Sequence, residues 1–247
     1  MSRFAHHHNG DCDAVETWDV RQSTPWHEHA HWVFGQVAAG ALTIDLRQVT
    51  VRLQAGQGFV LAPGTAHRLV PVESVQYRVL CPAVPPAAST HAFACPIGAA
   101  HWHEAFLHGF AAVQAGRPVD PAVWQTLLDT NLRGLSRLLP QPVARVRKAM
   151  RKWALRNPSL EILARTAGCS PWHLHRLYTA ATGLTPHQTL VCEKVRRARK
   201  LILSGVSLRD ASVESGFADQ SHLTRVFKQA MGLAPDQYIR QVSGKRF

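Results

Sequence analysis

Between Ser159 and Gln237 the chain carries one pattern written twice, and no other feature restricts its fold as much. The first copy is SLEILARTAGCSPWHLHRLYTAATGLTPHQ (Ser159–Gln188) and the second is SLRDASVESGFADQSHLTRVFKQAMGLAPDQ (Ser207–Gln237). Offset by 48 positions up to the central glycine and by 49 after it, they agree at Ser159/Ser207, Leu160/Leu208 and Gly168/Gly216. They agree again at His173/His222, Leu174/Leu223, Arg176/Arg225, Gly183/Gly232, Leu184/Leu233, Pro186/Pro235 and Gln188/Gln237. Two copies are too few for a solenoid, so the stretch is a paired module.

Each copy predicts a helix, a glycine turn and a second helix. Ser207 with Asp210 three residues on is a capping-box pattern. Ser170-Pro171 supplies an N-cap and a first helical residue, and Asp219 caps the equivalent helix of the second copy. Leu174, Leu177 and Tyr178 recur at helical spacing, as do Leu223, Val226 and Phe227, giving each second helix one buried stripe. Gly183 and Gly232 stand where a left-handed residue ends a helix. The opposite face carries Trp172, His173, His175 and Arg176 in one copy and Gln220, Ser221, His222, Thr224 and Arg225 in the other. Arg, Gln and aromatic side chains at such positions read base edges, whereas the two histidines lie nearer the phosphates.

On these residues the chain resembles the AraC family of transcriptional regulators. The strings SPWHLHRLY, TGLTPHQ and GFADQSHLTRVFKQAMGLAPDQY carry the likeness, over roughly residues 145–240. Ser212 departs from it, standing where the family has a tightly packed alanine. The resemblance implies double-stranded DNA and RNA polymerase as partners, and a small effector bound in an amino-terminal domain.

The charge distribution agrees. Residues 141–247 hold 19 Lys and Arg against 6 Asp and Glu, a net +13, while residues 1–140 hold 9 against 10, a net −1. One half is therefore built for a polyanion. Its basic residues are spread through helices and not gathered beside an apolar anchor, which disfavours a membrane surface. No run of about 18 apolar residues exists and the amino terminus has no secretory apolar core, so a cytoplasmic location is expected. The five cysteines (Cys12, Cys81, Cys95, Cys169, Cys192) are odd in number and never spaced Cys-x-x-Cys, which predicts free thiols.

The amino-terminal half reads differently. Residues 1–24, with His6–His8, are expected to be a polar, irregular tail. From Thr24 to Pro82 short strands alternate with glycine and proline turns, the mark of a barrel or jelly roll. WHEHAH followed by GQGFVLAPGTAH resembles a cupin barrel, the common effector domain of the AraC family. If residues 27–31 form a strand, His27, His29 and His31 share one face. His67 follows the Pro63-Gly64 turn, where cupins place another inward histidine. Converging imidazoles suit zinc, nickel, copper or iron. Cupin enzymes usually add a glutamate a few residues after His-x-His, where this chain has Val33 and Phe34. Glu28 points to the wrong face of a regular strand. The alternative is that the histidines line the pocket of an organic effector.

Pro82–Pro96 reads as a linker or strap. Residues 99–114 and 121–139 read as helices, the second carrying Val123, Leu127, Leu128, Leu132, Leu135, Leu138 and Leu139 at helical spacing. Their apolar faces must be buried either on the chain's own barrel or in a homodimer. His101 and His103 do not share a helical face, and these two with His108 are expected to be surface or packing residues. The leading helix of the DNA-binding half spans residues 143–156, and a long helix from Thr185-Pro186 to about Leu203 separates the two motifs. Its apolar stripe is Val191, Val195, Ala198 and Ile202, with Arg196, Arg197, Arg199 and Lys200 on its polar surface.

The expected fold is thus α+β. Residues 1–98 are a cupin-like β-barrel (jelly roll), 99–142 a helical and dimerisation segment, and 143–247 an all-α domain with two helix-turn-helix motifs. The expected function is sequence-specific DNA binding by a transcription factor, and not catalysis. A metal-dependent cupin enzyme with a DNA-binding tail is the rival.

Overall fold

Asn9 and Gly10 are a hairpin dipeptide, and they turn the supposed tail into the edge of a sheet. In the computed structural model, which describes residues 2–47, 49–83, 93–129, 139–153 and 156–243, β1 (Arg3–His8) pairs antiparallel with β2 (Cys12–Trp18). Gly10 takes a left-handed φ of 95° at the turn. β2 in turn pairs with a later strand, and His6 is buried. The expected irregular tail is instead the edge hairpin of a sheet. A neutral imidazole tolerates a half-buried strand.

Six further strands follow: β3 (Val33–Ala39), β4 (Ala41–Asp45), β5 (Thr50–Gln54), β6 (Gly58–Leu61), β7 (Arg68–Pro71) and β8 (Gln76–Pro82). β9 (Phe93–Ile97) pairs with β6, so the end of the expected Pro82–Pro96 strap is a strand. One sheet runs β1-β2-β8-β3-β6-β9 and the other β5-β4-β7. An apolar core joins Val33, Val37, Phe59 and Tyr77 of the larger sheet with Leu42, Ile44, Leu53 and Leu69 of the smaller. Gly35 makes this possible opposite Phe59, its partner across the β3–β6 ladder. A Cβ on Gly35 would stand 2.0 Å from the Phe59 ring.

The other face of the larger sheet is covered by α1 (Ala100–Gln114) and α2 (Pro121–Leu128). Trp102, Phe106, Phe110 and Val113 of α1 and Val123 and Leu127 of α2 pack on Ala14, Phe34, Val60 and Leu80. The Trp102 indole N–H donates to the Leu127 carbonyl at 3.2 Å. These described apolar positions of α1 and α2 are therefore buried on the chain's own sheet. Leu132, Leu135 and Leu138 lie outside the described residues.

The chain divides into two compact units, residues 1–24 with 29–136 and residues 25–28 with 137–247. Apart from that tetrapeptide, the described residues of the second form helices and their connections: α3 (Gln141–Trp153), α4 (Leu160–Ala167), α5 (Pro171–Thr182), α6 (Pro186–Leu203), α7 (Leu208–Glu214), α8 (Gln220–Met231) and α9 (Pro235–Ser243). The caps fall where the repeat places them. Ser159, Ser170, Thr185, Ser207 and Asp219 each accept a backbone N–H at a helix start, and Gly168, Gly183 and Gly232 end helices with left-handed φ. Each motif has its own core. Val143, Val146, Met150, Leu163, Leu174, Tyr178 and Leu190 make the first. Val195, Ala198, Ile202, Phe217, Leu223, Phe227 and Tyr238 make the second. α6, about 27 Å long at 1.5 Å per residue, contributes to both. Ser212 fits the alanine position because its hydroxyl donates to the Arg209 carbonyl at 2.7 Å.

Candidate nucleic-acid interface and histidine cluster

Burying Leu174 and Tyr178 on one side of α5 turns Trp172, His173, His175 and Arg176 outward, all exposed. Trp172 is 66% exposed, far more than an indole serving the core would be. The Arg176 guanidinium lies 4.6 Å from its ring centroid, so one helical turn presents an aromatic plane and a cation as a pair. On α8, burying Leu223 and Phe227 exposes Gln220, Ser221 and Arg225, with Thr224 half-buried. His222 differs from its repeat partner His173. It is half-buried, edge-on to Phe217 at 5.4 Å, and so packs the turn as well as facing outward.

Much of the basic charge in this unit is engaged within the protein. Arg145 donates to the Ala167 carbonyl, Arg197 to the Glu214 carbonyl and Arg199 to the Tyr238 hydroxyl. Arg196 pairs with Glu193 at 2.6 Å. Of the four cations expected to crowd the α6 surface, Arg197 and Arg199 thus brace α6 against neighbouring helices, and Arg196 pairs within α6 itself. Sequence spacing puts these residues on the helix surface, and only tertiary contact shows what they hold. Arg147, half-buried, and Lys194, buried, were likewise missed, being polar partners without any motif.

The chain around His27 is irregular and not a strand, so alternation does not apply. One ring nitrogen from each of His27, His29 and His67 nevertheless lies within 4.8 Å of the other two. His31 is not in that group. His29 and His67 stack with centroids 5.4 Å apart. The His27 Nδ1 lies 2.8 Å from the Pro25 carbonyl and the His67 Nδ1 2.9 Å from the Thr65 carbonyl. A carbonyl only accepts, so both Nδ1 atoms carry the proton and both lone pairs sit on Nε2. This backbone bracing is what orients metal-binding imidazoles. Burial lowers the His27 pKa, which favours the neutral, ligating form. A tetrahedral ion with bonds of about 2.0–2.1 Å holds its nitrogens roughly 3.3 Å apart, closer than the 4.8 Å within which one nitrogen of each ring lies here. Glu28, between two of these histidines, points instead to Arg147 at 2.6 Å. His103 serves packing, bonded to the Gln36 amide at 3.0 Å. A separate groove of about 870 Å³ on the first unit is lined by Asp11, Val119, Trp124, Leu128 and Asp129 among others. Among the described residues the cysteines are free, and no helix is long and apolar enough to cross a membrane.

Comparison with known proteins matches these two halves separately. A helix-turn-helix domain profile matches residues 163–241, and an AraC-like ligand binding domain profile matches residues 9–94. The regulatory protein SoxS of Escherichia coli (strain K12) is 30% identical over 87 residues, covering 32% of this chain and 76% of SoxS. The HTH-type transcriptional regulator YbfI of Bacillus subtilis (strain 168) is 26% identical, covering 83% of this chain and 82% of YbfI. The bifunctional transcriptional activator and DNA repair enzyme Ada of Escherichia coli is 35% identical over 80 residues, and the match spans only 23% of Ada. In fold, the chain is similar to ToxT of Vibrio cholerae O395, with a TM-score of 0.59 at 12% identity over 99% of this chain and 98% of ToxT.

Proposed function

The chain belongs to the AraC family of transcriptional regulators, and from that premise we propose that it is a sequence-specific regulator whose two recognition helices read adjacent half-sites in one DNA operator. The observation that carries this is the exposed Trp172–Arg176 pair on α5, set against Gln220, Ser221 and Arg225 on α8. Arginine bidentate to guanine and glutamine to adenine are the direct readers. The connecting α6, about 27 Å long, runs between the two motifs, and successive major-groove segments lie about 34 Å apart. RNA polymerase is the partner downstream, the cytoplasm the location, and catalysis is not part of this reading.

Selection from random DNA, followed by binding measurements, tests it. Arg176→Ala and Arg225→Ala are each expected to weaken the selected operator by about 1–3 kcal/mol and to relax one base position, in different half-sites. Unchanged affinity and sequence preference in both variants would refute the assignment.

The effector reading favoured is a transition-metal ion (zinc, nickel, copper or iron) on His27, His29 and His67, supported by the gathering of their ring nitrogens. Three imidazoles leave a fourth position open, which suits a site that exchanges its ion. Mass spectrometry of protein purified without a histidine tag is expected to find about one ion per chain, lost in the His29→Ala/His67→Ala variant. Finding no metal in the parent protein would discard it. A second reading rests on the groove beside Trp124, where an aromatic wall and the Asp11 and Asp129 carboxylates suit an apolar organic cation. Thermal-shift screening with such amines separates the two.

A further inference from the structure

The Lys194 ammonium sits where three parts of the DNA-binding unit meet. Lys194 is in the middle of α6, 9% exposed. Its Nζ donates to the Gly216 carbonyl at 2.8 Å, in the turn between α7 and α8. It also donates to the Asn157 side-chain oxygen, in the connection between α3 and α4. The Asn157 amide closes the triangle by donating to the same Gly216 carbonyl at 3.3 Å. Asn157 holds a left-handed φ of 46°, a conformation asparagine tolerates better than most residues. Nearby, Arg197 donates to the Glu214 carbonyl at 2.8 Å, a second tie from α6 to the same turn.

We infer that Lys194 is a positioning residue that fixes the spacing at which the two recognition helices meet DNA. The inference rests on the two-half-site reading above. A nearly buried ammonium is retained only where its donors find acceptors, and here one acceptor lies in the turn of the second motif and the other in the connection that leads into the first. The Gly216 turn leads directly into Phe217, whose ring lies 5.7 Å from Nζ and 5.4 Å from the His222 ring in the first turn of α8. Lys194 thus grips the second recognition helix close to its start. The first motif is held otherwise, by Arg145 of α3 on the Ala167 carbonyl. Asn157 links that α3–α4 side of the unit to the second turn. Without the ammonium, Gly216 and Asn157 lose their shared donor, and α8 gains freedom to swing about α6.

DNA makes that freedom measurable. Moving one half-site by a single base pair shifts it by about 3.4 Å and rotates it by roughly 35°. A rigidly spaced protein rejects such a shift, whereas a loosened one tolerates it. The experiment compares the full chain on operators whose half-sites are separated by the selected spacing, one base pair less and one more. The parent protein is expected to favour one spacing at least about tenfold. Lys194→Met keeps the stem and removes the donors, and is expected to reduce that ratio to under about threefold. Lys194→Arg is expected to restore most of it. Simple destabilisation lowers the folded fraction and weakens all spacings alike, so it leaves the ratio unchanged. Asn157→Ala removes two legs of the triangle at an exposed position and is expected to shift the ratio in the same direction. It carries the test if Lys194→Met does not fold. A spacing preference that is strong in the parent and intact in these variants overturns the inference. A parent without any spacing preference overturns the two-half-site reading instead.

Discussion

Replacing Phe227 with alanine is expected to remove about 3–5 kcal/mol from the second helix-turn-helix motif while leaving the first folded. Phe227 is fully buried, and its ring meets Tyr238 edge-on with centroids 5.5 Å apart. Around it stand Leu223, Ala198, Ile202 and Ile239, none of which belongs to the core of the first motif. A loss of that size is a large share of the 5–15 kcal/mol by which ordinary domains are stable. The collapse should stop within α6, because Leu190 packs in the first core whereas Val195 and the residues after it pack in the second. Tyr178→Ala should do the reverse. Limited proteolysis of the two variants, beside footprinting on the selected operator, checks both. Phe227→Ala is expected to be cut within α7–α9 and to keep protection only at the half-site read by α5. Simultaneous loss of both half-sites would mean that α6 welds the motifs into one cooperative unit.

Two stable motifs with separate cores are what the duplicated sequence announces, and here the chain is easy to read. Caps, glycine stops and a three-and-four apolar spacing are local signals. Ser170, Thr185, Asp219, Gly183 and Gly232 act within a turn or two of where they stand. The outward set on α5 and α8 follows from the same periodicity. The amino-terminal unit is harder because its decisive facts are long-range. His6–His8 look like a solvated tail until β2 pairs with β8. Alternation suggested a shared face for His27, His29 and His31, yet that segment is irregular. His67 approaches His27 and His29 across some forty residues, whereas His31 is not part of the group. Charge misleads for a similar reason. A sequence counts Arg145, Arg196, Arg197 and Arg199 as potential phosphate ligands, and the fold commits each to a carbonyl, carboxylate or hydroxyl of the protein.

The same distinction governs Glu28 and Arg147, whose single and double replacement should differ in sign. The Glu28 side chain is 2% exposed and that of Arg147 12%, with 2.6 Å between them. One carboxylate oxygen of Glu28 takes the guanidinium, and among the described residues the other has no hydrogen-bond partner. Burial pushes the Glu28 pKa up, and Arg147 pulls it down without fully offsetting that push. An anion in that state is costly once its partner goes. Arg147→Ala is therefore expected to destabilise the helical unit by about 3–5 kcal/mol, while Glu28→Leu with Arg147→Met is expected to be neutral or to stabilise it. The pH dependence has a definite sign. A carboxyl whose folded pKa is raised binds its proton more tightly in the folded chain, so its contribution is most favourable below the ordinary glutamate pKa. That contribution fades as pH rises through the raised value. Losing Arg147 raises the value further, so the deficit of Arg147→Ala should be largest near neutrality and shrink on acidification. Urea unfolding of the parent and the variants at pH 7 and pH 5 measures it. An equal deficit at both values would mean that Glu28 reaches water when Arg147 is gone, because a solvated carboxylate is ionised at both and has no burial penalty to relieve.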